Sequence, residues 1–352
     1  MSGSKITIID VARKAGVSKG TVDRVLHNRG EVSADSAEKV RRAIAELDYE
    51  PNLYASLLAS RKARLIACVL PGYEAGEYWE KIYNGFVSGG AQVSSLNIKT
   101  AVFSYDQYDL GSFRSACDEM LASDPSGVVL PPLFKGETLI LADRLATRGI
   151  PYVYVDTKLE EDGYLAYFGM PMFKSGYLCA SLLTDRTRRD EMGDVLAVRI
   201  SRDKTGQSDP TAGRREGFND YISTYYPEST VHNIFIDACD TAGIDRTLTE
   251  FFSCHPDVHN IVMFSSRVHL IEPYLAAHPD PERRVVGFDD LDRNIGMLKN
   301  GLVDMLVSQH TEVQSSNAVK VLSDFVLMHK LPPVRDNYMH MDILTRLNYE
   351  NY

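Results

Sequence analysis

Apolar residues recur at three- and four-residue spacing through residues 7–61, and from Leu65 onward they regroup into short apolar runs alternating with helical stretches. The first segment reads TIIDVARKAGVSKGTVDRVLHNRGEVSADSAEKVRRAIAELDYEPNLYASLLASR. Its pattern predicts three short helices, a tight turn between the first two, and a fourth helical stretch after Pro51. Thr7 can cap the first helix with Asp10 as its capping-box partner, and Ala12 faces inward. Gly16 supplies the φ > 0 that the Ala15-Gly16-Val17 turn needs. Ser18 can cap the second helix, whose Val22, Val25 and Leu26 make an apolar stripe. Lys19, Thr21, Asp23 and Arg24 lie on its other face. Ser33 can cap the third helix, whose buried stripe is Ala37, Val40, Ile44 and Leu47.

Beyond Leu65 the strand expectations are 65–70, 98–103, 127–131, 152–155, 164–168, 194–200, 231–236, 260–264, 284–288 and 303–307. Helical stretches fall near 79–92, 109–122, 136–147, 171–185, 211–224, 241–253, 265–276, 291–300 and 311–328. Such βαβα alternation predicts parallel sheets covered on both faces. Ten strands are too many for one comfortable sheet, so two lobes are expected, with a break near Gly169-Met170-Pro171. The fold class is therefore a small all-α helix-turn-helix domain (5–51), a hinge and linker (52–64), and a two-lobed α/β domain (65–345).

Charge sharpens this division. The 352-residue chain carries a net charge of −10, with 44% apolar and 24% charged residues. Residues 1–64 hold 12 lysines and arginines against 8 acids, a net of +4, so positive charge collects at one end of an acidic protein. That is the electrostatic footprint of a head that meets nucleic acid, with a body that discourages nonspecific wrapping. No apolar run approaches a membrane span and no export signal opens the chain, which points to the cytoplasm. Five cysteines without paired spacing are expected as free thiols. The cluster Cys254, His255 and His259 falls in a helix-to-strand connection, where such residues are usually solvated, and no metal or other cofactor is expected. The chain has no G-x-S-x-G elbow, no phosphate-binding G-x-x-x-x-G-K-[ST] and no paired carboxylates linked to a base, so an enzyme is not expected.

The head resembles the lactose-repressor (LacI/GalR) family of bacterial transcription regulators. The matching elements are I-x-D-V-A-x-x-A-G-V-S (Ile8 to Ser18), T-V-x-R-V-L (Thr21 to Leu26), Val32-Ser33, A-x-x-E-L-x-Y-x-P-N (Ala43 to Asn52) and A-x-x-L-A (Ala55 to Ala59). The body resembles, more loosely, the type 1 periplasmic sugar-binding proteins that supply that family's effector domain. The resemblance implies three crossings between lobes, near 168–171, 289–293 and 325–335. The first lobe would then be about 65–168 plus 290–325, and the second about 170–288 plus 326–345.

In this family the start of the second helix reads base edges in the major groove. Lys19 and Arg24 can donate to guanine or neutralise phosphate, and Gly20 permits close backbone approach. Asp23 replaces the family's usual small hydroxyl residue; it can accept from cytosine N4 or restrain Arg24. Thr7, Ser18, Thr21, Asn28 and Arg29 are expected at phosphates. Asn52, Ala55 and Leu58 belong to the hinge, where the family inserts a leucine at the position of Leu58 into the minor groove.

For the body, the resemblance implies a ligand cleft at the carboxyl ends of the strands. Tyr78 and Trp79 stand where relatives stack aromatics on a sugar, with first-helix packing as the alternative. Asp156, Arg214, Asp289 and Gln309 match binding positions. Ser266 and Arg267 depart from the family's usual Asn-Asp. Arg267, Arg214 and Lys158 together suggest an effector with an acidic group, unless Arg267 pairs with Glu272 or with the other lobe. The overall expectation is a homodimeric regulator, most simply a repressor of carbohydrate genes. It would bind a palindromic operator and be released or engaged by a sugar, sugar acid or sugar phosphate. A sugar-binding protein or sugar-active enzyme of the same architecture is the alternative.

Overall fold

The computed structural model describes residues 6–26, 30, 32–49, 63–159, 163–184, 192–200 and 210–351. The chain separates into two compact units, Met1–Lys62 and Ala63–Tyr352. The first contains α1 (Ile8–Ala15), α2 (Lys19–Leu26) and α3 (Ala34–Glu46). The Asp10 carboxylate accepts from the Thr7 N–H at 3.0 Å and from its hydroxyl at 2.7 Å. These bonds, the hydroxyl's foremost, hold that carboxylate below its ordinary pKa. Gly16 ends α1 at φ 66°, in the left-handed region where glycine carries no Cβ penalty. Ser18 Oγ accepts the Thr21 N–H at 3.1 Å, and Ser33 Oγ accepts the Ser36 N–H at 3.3 Å. Val11, Ala12, Ala15, Val22, Val40 and Ala43 close a small core. Tyr49, which the helical pattern did not single out, is also buried in it.

The second unit holds two six-stranded sheets. In chain order its early elements are β1 (Arg64–Pro71), α4 (Tyr78–Val93), β2 (Ile98–Tyr105), α5 (Leu110–Ala122), β3 (Gly127–Leu130), α6 (Lys135–Thr147), β4 (Tyr152–Asp156) and β5 (Ala166–Gly169). The chain then runs through α7 (Met172–Leu183), β6 (Val195–Ile200), α8 (Ala212–Tyr225), β7 (Val231–Ile236), α9 (Thr241–Cys254) and β8 (Asn260–Met263). It ends with α10 (Glu272–Ala277), β9 (Arg284–Phe288), α11 (Asp292–Asn300), β10 (Met305–Ser308), α12 (Thr311–Met328), β11 (Asp336–Tyr338) and β12 (Asp342–Leu344). The first sheet is ordered β11-β5-β4-β3-β1-β2 and the second β12-β10-β9-β8-β6-β7. All pairings are parallel except β10 with β12. Both faces of the second sheet are covered, as the pleat of β6 shows. Leu196 and Val198 pack with Ile244 and Leu248, while Val195 and Ala197 pack with Phe218 and Cys179.

The lobe boundaries differ from the expected ones. Residues 290–308 belong to the second lobe, because β10 pairs with β9 in the register Met305↔Val286. α12 then packs against α4, β3, β4 and β5 of the first lobe. β11 extends the first sheet beside β5, and β12 returns to β10. The lobes are therefore joined after β5, between β10 and α12, and between β11 and β12. An apolar run announces a strand but does not say which sheet completes its hydrogen bonds, and β11 and β12 have three residues each. The expected helix at 265–276 is shorter and later. A 3₁₀ turn covers Val268–Ile271, and α10 starts at Glu272 with proline in its first turn. Among the described residues no helix is long and apolar enough to cross a membrane.

Candidate DNA-reading head and ligand cleft

On the head, Thr7, Ser18, Lys19, Gly20 and Arg24 are exposed, and Thr21 and Asp23 are half-buried. Arg24 Nε donates to the Gly20 carbonyl at 3.2 Å, so its side chain lies back along α2 toward Lys19. Lys14 Nζ meets Glu46 Oε2 at 2.8 Å, tying α1 to α3 away from that face. Asn28, Arg29, Asn52, Ala55 and Leu58 lie outside the described residues.

In the body, strand ends from both sheets meet at a common chamber. Tyr78 and Trp79 open α4 after β1, Asp156 ends β4, and Arg214 stands in the first turn of α8. Ser266 and Arg267 follow β8, Asp289 follows β9, and Gln309 follows β10. All eight line one cavity between the strand ends. Asp156 and Asp289 sit at φ 68° and 67°, so both strand ends turn sharply at the carboxylates.

A continuous polar chain runs round the chamber. The Tyr78 hydroxyl donates to Asp156 Oδ1 at 2.6 Å and accepts from Gln309 Nε2 at 3.0 Å. Gln309 Nε2 also donates to Asp289 Oδ1 at 2.9 Å, and Gln309 Oε1 accepts from Arg214 Nη2 at 3.2 Å. Arg214, 4% exposed, donates from Nη1 to the Phe264 carbonyl at 2.7 Å and stacks on Phe288 with 4.3 Å to the ring centroid. Burial pushes the Asp289 carboxyl up to about 7, against the opposing pull of Arg214. Burial, reinforced by Asp156, also holds the Tyr78 hydroxyl protonated far above its usual range. Two buried polar atoms of chamber residues, Arg214 Nε and Ser265 Oγ, have no partner among the described residues. Each such atom costs ~1–3 kcal/mol unless something bonds it.

Tyr78 thus serves as a hydrogen-bonding bridge, whereas a stacking platform was expected. Trp79 lines the chamber with its ring edge-on to Tyr78, centroids 5.0 Å apart. Of the two readings for Arg267, the one seen is its pairing with the other lobe. Arg267 is held by the Tyr108 hydroxyl at 2.8 Å and Glu77 at 3.5 Å, and Lys158 by Asp336 at 2.6 Å. Those charges are spent within the protein, which leaves two carboxylates and one already bonded guanidinium at the chamber. Of the C-H-x3-H cluster, His259 Nδ1 pairs with Asp280 at 2.7 Å and His255 stacks on Phe251.

Sequence reasoning missed Asn294, which is fully buried. Its Nδ2 donates to the carbonyls of Ser266, Phe288 and Asp289 at 2.8–3.1 Å, and its Oδ1 faces His269 Nδ1 at 2.9 Å. It clasps two chamber loops together, and nothing in the run LDRNIG signals this. Gln314 was missed for the same reason. It accepts the Asp156 N–H at 3.0 Å and donates to the Gln309 carbonyl at 3.1 Å, fixing two chamber residues from α12.

Known proteins share this fold and this order of domains. The family described as "Bacterial regulatory proteins, lacI family" matches residues 7–52, and "Periplasmic binding protein domain" matches residues 66–328. The HTH-type transcriptional regulator MalR of Streptococcus pneumoniae is 40% identical over 92 residues, 26% of this chain and 28% of that protein. The match thus spans about a quarter of that relative's length. The sucrose operon repressor of Pediococcus pentosaceus is 24% identical over 80% of this chain and 81% of its own. A structure described as a LacI transcriptional regulator from Bacteroides fragilis superposes with a TM-score of 0.76. It is 31% identical, covering 83% of this chain and 100% of that one. The chain belongs to the LacI family of bacterial regulatory proteins, with a helix-turn-helix head and a periplasmic-binding-protein-like body.

Proposed function

We propose that the chain is a repressor of carbohydrate-utilisation genes that binds a palindromic operator as a homodimer and responds to a neutral sugar. The chamber is the observation that carries the ligand half of this reading. Asp156, Asp289 and Gln309 offer acceptors and donors for hydroxyl pairs, and Trp79 offers an apolar wall. An acidic effector would gain little here, because the Arg214 guanidinium already donates to the Phe264 carbonyl and to Gln309, and the Asp156 carboxylate opposes a second anion. The relatives named as a sugar-operon repressor and as HTH-type regulators support the DNA half. Coupling between the sites of ~1–3 kcal/mol suffices to change operator affinity 5- to 150-fold. The deciding experiment selects genomic fragments bound by the purified chain and repeats the binding over a sugar panel. A neutral sugar should shift both operator affinity and melting temperature. At 100 times its Kd it should add ~2.7 kcal/mol of stability. A response to sugar acids or sugar phosphates alone overturns the neutral-ligand reading, and no fragment preference overturns the operator reading.

The head makes two further predictions. Arg24→Ala and Lys19→Ala should each weaken operator binding by ~1–3 kcal/mol in a gel-shift titration. If either residue contacts only phosphate, its loss should weaken all sequences equally and reduce the salt dependence instead. Gly20 is exposed, and an added Cβ would meet only Ser18 Oγ and an Arg24 nitrogen at ordinary contact distance. Gly20→Ala should therefore stabilise the head by up to ~1 kcal/mol. It should nevertheless weaken the operator complex if backbone approach is why glycine stands there, and melting and binding curves measured together would show the opposed signs.

A further inference from the structure

The first turn of α4 reaches across the cleft three times. Glu77 Oε1 lies 3.5 Å from Arg267 Nη2, and the Tyr78 hydroxyl accepts from Gln309 Nε2 at 3.0 Å. Lys81 Nζ donates to Asp290 Oδ2 at 2.6 Å and to the Asp290 carbonyl at 3.2 Å. Tyr78 and Lys81, three residues apart, share one helical face, and Glu77 is the N-cap residue just before them. Their partners come from three different second-lobe loops, those after β8, β9 and β10. Arg267 has a second first-lobe anchor, since its Nη1 donates to the Tyr108 hydroxyl at 2.8 Å. The side chains of Lys81 and Asp290 are 26% and 17% exposed, so that pair is shielded from much of the solvent screening that weakens surface bridges, whereas Arg267 is 15% exposed but its partner Glu77 36%. Ser308 Oγ donates to the other Asp290 oxygen at 3.2 Å and fixes that carboxylate for Lys81.

We infer that Arg267 is a strap between the lobes, not a reader of ligand charge, and that with the Lys81–Asp290 pair it holds the cleft closed before any effector arrives. The arginine stands where the family's usual acid would offer an acceptor to a sugar hydroxyl. In this chain the position has exchanged a ligand contact for a lobe-to-lobe contact. A guanidinium suits that task because its planar fork can engage a carboxylate and a hydroxyl together. The closed form is then favoured by the protein's own charges, and an effector draws on a population that already exists. The inference concerns the unliganded body and stands or falls independently of which effector the chain binds.

Trp79 provides the readout, because it is the sole tryptophan, lines the chamber and is 4% exposed. In the full-length chain without ligand, Arg267→Ala and Lys81→Met should each raise acrylamide quenching of Trp79 fluorescence by roughly two- to threefold as the open form gains population. The radius of gyration from small-angle scattering should rise with it. Tyr108→Phe, which removes one hydrogen bond and little volume, should give a smaller rise in the same direction. It keeps the test decisive should an ion-pair variant fold poorly. Charge reversal separates a strap from local damage. Arg267→Glu and Glu77→Arg should each open the cleft, and the two together should restore wild-type quenching. Wild-type quenching and radius in the single variants, or a double reversal as open as the singles, overturns the inference.

Discussion

Gly176→Ala is expected to lower the stability of the two-lobed body by about 3 kcal/mol, toward the upper end of what overpacking a close contact costs. An alanine Cβ at this position would overlap the carbonyl oxygen of Arg214, and one at Gly217 would overlap the carbonyl of Phe173. α7 and α8 therefore meet backbone to backbone, with each glycine seated against the other helix. Neither obstacle is a flexible side chain, so relief requires the helices to part. Parting them moves the first turn of α8, which places Arg214 in the chamber, so ligand binding should fall along with stability. Gly136 is the control, since a Cβ there meets open space. Urea denaturation of the two variants beside the wild type makes the measurement. A loss below ~1 kcal/mol for Gly176→Ala would mean that the helices tolerate separation.

These glycines also mark how far the chain could be read from its sequence. The three described helices of the head were legible, because capping residues, the turn glycine and the helical stripe are local signals, while the helical stretch expected after Pro51 lies outside the described residues. Ser18, Ser33 and Gly16 perform the tasks that their residue types dictate. In the body, strands and helices were legible as alternating runs, but lobe membership was not. β10 reads as an ordinary strand whichever sheet receives it, and its hydrogen bonds to β9 are set by packing far along the chain. The chamber was legible only in part. Asp156, Arg214, Asp289 and Gln309 do converge, since parallel sheets gather their strand ends. The charge balance there was legible only as the alternative in which Arg267 pairs with the other lobe, because the acids facing Arg267 and Lys158 lie 190 and 178 residues away in sequence. Asn294 shows the same limit from the other side. Its role rests on three carbonyls from two loops, and a single sequence carries no trace of such an arrangement.

Arg214→Met should be the most damaging change at the chamber, costing about 3–5 kcal/mol, the range for removing one charge from a buried, hydrogen-bonded set. Methionine can fill the volume, but it leaves the Phe264 carbonyl and Gln309 Oε1 without their donor. It also removes the cation that restrains Asp289. The consequence for pH follows from proton counting. The folded carboxyl titrates at about 7, above its ordinary 3.8. Between those values the folded state therefore keeps a proton that the unfolded state has lost. Wild-type stability should thus fall as pH rises from about 4 to about 7 and level off above, with Asp289 contributing at most ~4 kcal/mol at ~1.4 kcal/mol per unit. Asp289→Asn should flatten that decline and melt above the wild type at pH 8, since its amide oxygen can still accept from Gln309. Arg214→Met should instead extend the decline beyond pH 7, because the carboxyl then titrates higher still. Calorimetric melting across pH 4–9 distinguishes the three proteins. Parallel pH profiles for all of them would show that Asp289 is charged in the folded chamber, and the case for a largely neutral, hydroxyl-binding site would have to be rebuilt on Asp156 alone.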